Sequence, residues 1–152
     1  MEAKLPEKAR ELLKERRAKE DEVSGKKVLI VDDDVRNIFA LTSVLESHGL
    51  EVLYAENGKD GIDTLERNPD VDLVLMDVMM PEMDGYQTMR AIRGDPAHKA
   101  LPIIAITAKA LKEDREKCIQ AGASDYLPKP VDATKLLDVI RLWTGGDATA
   151  TA

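Results

Sequence analysis

The chain has 152 residues, of which 29 are acidic and 22 basic, and its formal net charge is −7. This charge argues against nucleic acid as a partner and is compatible with binding a hard cation. Cys118 is the single cysteine, so no intramolecular disulfide forms, which is typical of a reducing compartment. No apolar run approaches the about 18 residues of a transmembrane helix. We therefore expect a cytoplasmic domain without direct membrane contact.

The first 25 residues differ in composition from the rest of the chain. Leu5, Leu12 and Leu13 recur at helical spacing and are followed by an almost wholly charged run, which predicts a charged helical linker over residues 1–25. The leucines either pack on a partner or belong to a solvated, fraying helix, and the second interpretation is favoured. We expect a single domain over residues 26–144 and a disordered tail over 145–152.

Short apolar runs alternate with amphipathic segments along the domain, and each helical pattern ends near Gly, Asn or Pro. The predicted strands are Lys27–Val31, Glu51–Tyr54, Leu73–Met76, Ile103–Thr107 and Asp125–Leu127. The predicted helices cover about Val35–His48, Lys59–Arg67, Gly85–Arg93, Leu111–Gln120 and Ala133–Trp143. This alternation predicts an α/β fold, a flavodoxin-like, doubly wound parallel sheet of five βα units with strand order 2-1-3-4-5.

Polar side chains follow four of the predicted strands. Asp32 and Asp33 come directly after the first strand, and Asp77 after the third. Thr107 ends the fourth strand, and Lys129 follows the fifth. The strand order brings these ends to one edge of the sheet, where open α/β sheets bind their ligands.

The residue types at this edge suit a divalent cation and a phosphoryl group. Crowded carboxylates repel one another unless a cation lies between them, and Mg²⁺ prefers carboxylate oxygens. Asp77 can act as a nucleophile and form an aspartyl phosphate. Thr107 can donate a hydrogen bond to a phosphoryl oxygen, and Lys129 supplies a positive charge. Each residue alone also has an ordinary interpretation, such as a helix cap at Asp34 or an exposed turn, and the agreement among them favours a site.

With these residues at its strand ends, the chain resembles the response regulator receiver domains of two-component signalling, from about Lys26 to Trp143. The acid pair lies in Val31-Asp-Asp33, and the phosphoacceptor segment is Leu75-Met-Asp-Val-Met-Met-Pro81 followed by Met83-Asp-Gly85. The remaining motifs are Ile106-Thr-Ala108 and Ala121-Gly-Ala-Ser-Asp-Tyr-Leu-Pro-Lys-Pro130.

The resemblance implies a role for each residue of these motifs. Mg²⁺ would be bound by Asp33 directly, by Asp32 through water, and by Asp77 and the backbone carbonyl of Met79. Asp77 would accept the phosphoryl group, with Lys129 and Thr107 assisting. Thr107 and Tyr126 would then switch the face formed by the fourth helix, fifth strand and fifth helix. The peptide bond between Lys129 and Pro130 is expected to be cis.

A narrower resemblance connects the chain with the C-terminal receivers of bacterial hybrid histidine kinases. It is carried by Asp32-Asp-Asp-Val-Arg-Asn-Ile-Phe-Ala-Leu41 and Asp114-Arg-Glu-Lys-Cys118. The implied partners are the phosphodonor domain of a histidine kinase or a histidine phosphotransfer protein. The domain would belong to the cytoplasmic part of a larger sensor kinase or stand alone, and in neither case is it expected to be a turnover enzyme by itself.

Two other classes of function compete with this prediction. Phosphatases of the haloacid dehalogenase type also use an aspartate nucleophile and Mg²⁺, but they carry a second acid two residues later, where this chain has Met79. The other alternative is an interaction module that acts without phosphorylation, and the complete set of acids, hydroxyl and lysine argues against it.

Overall fold

The computed structural model describes residues 23–80, 84–108 and 112–144, so the predicted linker before residue 23 and the tail after residue 144 lie outside it. The strands are β1 Lys27–Val31, β2 Glu51–Ala55, β3 Leu73–Asp77, β4 Ile103–Thr107 and β5 Asp125–Pro128. The helices are α1 Val35–Ser47, α2 Gly58–Arg67, α3 Gly85–Arg93, α4 Lys112–Ala121 and α5 Ala133–Thr144, with a short 3-10 helix at Pro96–His98. Among the described residues, no helix is long and apolar enough to cross a membrane.

The five strands form one parallel sheet in the order β2-β1-β3-β4-β5, which confirms the predicted topology. Every residue of β3 is buried, because helices cover both faces of a parallel sheet. Val74 and Met76 pack into the core on one face, while Leu73 and Leu75 pack into the core on the other. Burial of each such side chain contributes roughly 1.5–3 kcal/mol to the stability of the fold. The centre of the sheet is therefore well packed up to its carboxyl edge.

Capping residues set where the helices begin. Asp34 caps α1 by accepting a hydrogen bond from the Arg36 N–H at 2.9 Å. Asp84 forms a capping box with Gln87 at the start of α3. These side chains satisfy N–H groups that have no partner within a helix. The predicted bounds of the helices and strands agree with the structure to within one or two residues. Strand β3 extends one residue further than predicted and includes Asp77.

The packed core also includes a residue that the sequence assigns to the linker. Val23 is fully buried and belongs to the core cluster that contains Val28 and Leu45. The neighbouring Gly25 N–H donates to the Gly49 carbonyl at 2.8 Å. The chain therefore joins the domain at the end of the sheet opposite the carboxyl edge.

Candidate functional site

Three carboxylates meet at the carboxyl edge of the sheet. Asp32 and Asp77 are buried, with 2% and 1% of their surface exposed, whereas Asp33 is exposed. Each of the three offers an oxygen that lies within 4.8 Å of the others. The predicted acid cluster therefore exists in the folded chain, and it is open to solvent on the side of Asp33.

The pairing of β1 with β3 explains why these acids are neighbours. Val31 pairs with Met76, so the next residue on each chain, Asp32 and Asp77, lies at the same level of the sheet. Gly85, the first residue of α3, packs directly on the backbone of Asp77 and Val78, and a Cβ at this position would collide with that backbone. The Gly85 N–H also donates to the Val78 carbonyl at 3.0 Å. These contacts fix the backbone that carries the Asp77 carboxylate.

Lys129 completes the predicted cluster. Its Nζ donates to Asp77 Oδ1 at 3.0 Å, and the Met79 N–H donates to the same oxygen at 3.2 Å. The Lys129 N–H donates to the Thr107 carbonyl at 2.8 Å, which ties the ends of β4 and β5 together. The peptide bond between Lys129 and Pro130 is cis, as expected.

The electrostatics of the site are dominated by unbalanced negative charge. Burial, together with the negative charge of Asp77, raises the pKa of Asp32 to about 6, against the opposing effects of the Asp34 N–H and the Lys129 ammonium. Asp34 donates its N–H to Asp32 Oδ1 at 2.8 Å. Among the residues that the structure describes, this cluster brings three carboxylates together with Lys129, so its negative charge exceeds its positive charge. An all-oxygen set with excess negative charge fits a hard divalent cation such as Mg²⁺.

The other predicted site residues lie nearby but in different settings. Thr107 is buried at the end of β4, whose Ile106 pairs with Asp77. Tyr126 is half-buried and pairs with Ala105, two residues before the end of β4. The Met79 side chain is 63% exposed, although its backbone is bonded to Asp77. The two histidines lie in other parts of the fold, His48 at the end of α1 and His98 in the 3-10 helix.

Two exposed apolar residues and two side-chain contacts were not predicted from the sequence. Val35 and Phe39 of α1 are 60% and 73% exposed and lie one turn apart, off the stripe that α1 buries. Two apolar residues outside the buried stripe of an amphipathic helix were the available signal. Arg115 lies over the ring of Tyr126, and the Trp143 indole donates to Asp125. These contacts are long-range, and the sequence alone carries no signal for them.

Arg93 makes a second unpredicted cluster, away from the acids. Its Nε donates to the Gly122 carbonyl at 2.8 Å, and its guanidinium also bonds to the carbonyls of His98 and Leu101 at 2.8 and 2.6 Å. Burial lowers the pKa of Arg93. The side chain joins the segment after α3 to the turn before β5.

Comparison with known proteins identifies the family of this chain. Residues 28–141 match the model of the response regulator receiver domain. PilH of Pseudomonas aeruginosa is 42% identical over 120 residues, which cover 79% of this chain and 98% of PilH. The chain therefore belongs to the response regulator receiver domains, which are phosphoacceptor modules of two-component signalling.

Two solved structures are similar in fold and bear on the site. The receiver domain of the sensor histidine kinase PA1611 from Pseudomonas aeruginosa PAO1, with magnesium coordinated in its active-site cleft, has 37% identity and a TM-score of 0.73, covering 80% of this chain and 98% of that one. The receiver domain of Saccharomyces cerevisiae Ssk1, in complex with the histidine phosphotransfer protein Ypd1, has 28% identity and a TM-score of 0.75, covering 80% and 90%.

Proposed function

We propose that this domain takes a phosphoryl group from a phosphohistidine onto Asp77. The observation that carries the proposal is the Asp77 carboxylate itself. It is buried, it is held by the Lys129 ammonium at 3.0 Å, and it lies beside the acids of Asp32 and Asp33. A carboxylate fixed in this way is positioned for attack on phosphorus, and positioning together with charge stabilisation accounts for most of phosphoryl-transfer catalysis.

The transfer forms one bond and breaks another. An oxygen of Asp77 forms a bond to phosphorus while the bond between phosphorus and the donor imidazole nitrogen breaks. The electron pair of the broken bond leaves with the imidazole, which takes up a proton. Lys129, now bonded to Asp77, is close enough to pair with an oxygen of the transferred group, and Thr107 provides a hydroxyl at the end of the neighbouring strand. The product is the modified domain itself, so we assign no turnover of an external substrate.

We assign Mg²⁺ as the cofactor, with Asp32, Asp33, Asp77 and the backbone carbonyl of Met79 holding it directly or through water. When bound, the cation neutralises the negative charge that gathers on the phosphoryl oxygens. The fit rests on the chain's own residues, since three carboxylates share one edge of the sheet, where Lys129 pairs with Asp77. PA1611, which is similar in fold, holds magnesium in the active-site cleft of its receiver domain.

The donor is assigned to the phosphodonor domain of a histidine kinase or to a histidine phosphotransfer protein. Val35 and Phe39 present exposed apolar surface on the first two turns of α1, the helix that begins directly after the acids of Asp32 and Asp33. A groove of about 460 Å³ adjoins the site itself, and the residues that line it include Asp32, Lys129 and Leu41. Apolar surface next to a charged reaction centre favours a protein donor over a small phosphorylated molecule. Histidine kinases take the phosphoryl group from ATP, which is available in the cytoplasm. We therefore assign the domain to the cytoplasm.

After transfer we expect Thr107 and Tyr126 to change position, with consequences for the face formed by α4, β5 and α5. Thr107 and Ala105 lie on the same side of β4, and Tyr126 pairs with Ala105. A shift of the Thr107 hydroxyl towards a phosphoryl group therefore alters the packing next to the Tyr126 ring. Phosphorylation would thus bias an equilibrium between two arrangements of this face.

Beryllofluoride, a mimic of the phosphoryl group, distinguishes this function from an interaction module with an inactive site. We expect saturable binding that requires both beryllofluoride and Mg²⁺ and shifts the melting temperature upward. Asp77→Asn should abolish the response, whereas Asp63→Asn on α2, which removes the same charge, should keep it. No response of the wild-type protein at saturating concentrations would overturn the proposal.

A further inference from the structure

Helix α4 is attached to the domain by few apolar contacts. Only Cys118 and Ala121 are buried among its ten residues, and Ile119 is 47% exposed. Both buried side chains are small, so they remove little apolar area from water compared with the leucines and isoleucines of the sheet. Contacts made by the polar residues of α4 therefore carry a larger share in fixing where the helix and its neighbours lie.

One such contact joins α4 to β5. The guanidinium carbon of Arg115 lies 5.3 Å from the centre of the Tyr126 ring, within the range of a cation–π interaction. The ring is half-buried and packs against the core cluster that contains Ala105 and Cys118. Arg115 itself is exposed, so it contacts the ring from the solvent side.

The backbone of Tyr126 is held independently of its ring. The carboxylate of Asp125 accepts from the Tyr126 N–H at 2.8 Å and from the Trp143 indole N–H at 3.1 Å, which links β5 to the end of α5. The pairing of β5 with β4 holds the strand on its other side. The ring can therefore change its burial by rotation of its own side chain, and on the solvent side its contact is with Arg115.

On its core side, the Tyr126 ring lies on the face of the sheet that also carries Thr107. In the pairing of β4 with β5, Tyr126 lies opposite Ala105, and Thr107 follows Ala105 on the same face of the sheet. Ala105 is the smallest residue of β4 and leaves more room beside the ring than Ile103, the preceding residue of β4 on the same face. Movement of the Tyr126 ring towards Thr107 increases its burial and takes it away from the Arg115 guanidinium.

From these contacts we infer that Arg115 is a positioning residue of the switch, which holds the Tyr126 ring in its half-exposed position and sets the cost of burying it. The inference rests on the proposed phosphorylation of Asp77 and adds a regulatory residue to it. A contact made in only one of two arrangements biases the equilibrium between them by its own free energy. Removal of Arg115 should therefore favour the arrangement that goes with a modified Asp77.

The test is a titration of the full chain with beryllofluoride in the presence of Mg²⁺. Trp143 is the only tryptophan, and its bond to Asp125 lies next to Tyr126, so its fluorescence reports the change. We expect Arg115→Ala to raise the apparent affinity about two- to fivefold, the effect of an exposed cation–π contact, and Arg115→Lys to raise it less. Lys117→Ala, which removes an equal charge from an exposed position of the same helix, should leave the affinity unchanged.

A double-mutant cycle separates positioning from a general effect of charge. In a Tyr126→Leu background, which lacks the ring, Arg115→Ala should have no further effect on the affinity. An affinity equal to or weaker than wild type for Arg115→Ala, or a gain that persists in the Tyr126→Leu background, would overturn the inference. If wild type itself does not bind beryllofluoride, the proposed phosphorylation of Asp77 fails and the inference falls with it, which is a different result from a responsive wild type with an unresponsive variant.

Discussion

The acid edge of the sheet and the face formed by α4 and β5 belong to the same domain, but their side chains are held in different ways. Asp77 ends a strand whose five residues are all buried, and Gly85 packs against its backbone. Arg115 lies on a helix with two buried residues and contacts Tyr126 from the solvent side. The proposed phosphoacceptor therefore lies on densely packed structure, whereas the region proposed to change has few buried contacts.

The largest expected effect concerns the charge stored at the acid edge. The pKa of Asp32 is about 6 in the folded protein, above its usual value of 3.8, so between these values the folded state binds more protons than the unfolded state. Stability should therefore fall as the pH rises through this interval. In the absence of metal, Asp32→Asn should exceed wild type in its free energy of unfolding by about 3 kcal/mol near pH 7 and by little near pH 4.

Chemical denaturation across this pH range measures the difference. Asp63→Asn serves as the control, since it removes a carboxylate from α2 rather than from the acid edge. A difference in the free energy of unfolding between Asp32→Asn and wild type that stays constant with pH would show that the buried charge of Asp32 does not destabilise the folded protein.

Hydrogen exchange sharpens the comparison between the two regions. Amides of α4 should exchange through local openings about 2 kcal/mol or more below those of β3, because few buried apolar contacts hold the helix. Cys118→Ala, which removes one of its two buried side chains, should widen the gap. Equal protection of α4 and β3 in native-state exchange would contradict the description of α4 as weakly attached.

The length of the elements followed from the sequence more readily than the contacts between them. The run Leu73–Met76 predicted a buried strand because both of its faces are apolar, and the structure adds only Asp77, whose pairing with Ile106 depends on the neighbouring strand. The strand order then followed from right-handed crossovers. The convergence of Asp32 and Asp77 could be predicted for that reason, as a consequence of topology rather than of spacing.

The missed contacts have in common that they join distant segments through side chains. Arg93 bonds to Gly122, and Arg115 to Tyr126, across loops or helices that no periodicity relates. The burial of Val23 depends on a cluster that includes Leu45, near the end of α1. Contacts of this kind depend on three-dimensional packing, and a pattern in one sequence carries no information on them.

A smaller effect is expected for the metal. At about ten times its dissociation constant, Mg²⁺ should add roughly 1.4 kcal/mol to the stability of wild type by binding only the folded state. Asp33→Asn should nearly abolish this gain and block phosphorylation, and it should stabilise the metal-free protein by relieving repulsion. Melting curves with and without Mg²⁺ measure both effects. A full Mg²⁺ response in Asp33→Asn would remove Asp33 from the ligand set.

The smallest expected effect concerns how long the phosphoryl group persists. The Met79 side chain is exposed beside Asp77 and offers no strong hydrogen-bonding group to hold an attacking water. We expect a phosphorylated form that lasts for minutes or longer, and Met79→Asn should shorten its lifetime severalfold. Met79→Leu, of similar size but without an amide, should leave the lifetime unchanged. Decay of the wild-type form within seconds would contradict this prediction.

The central claim is that Asp77 is the phosphoacceptor, and transfer from a labelled phosphohistidine donor tests it most directly. Labelled donor is mixed with the domain in the presence of Mg²⁺, and the label is located by mass spectrometry of peptides. Wild type should carry the label on Asp77, and Asp77→Asn should remain unlabelled, because an amide cannot form the acyl phosphate. Stable labelling of Asp77→Asn at the wild-type level would show that the acceptor is a different residue.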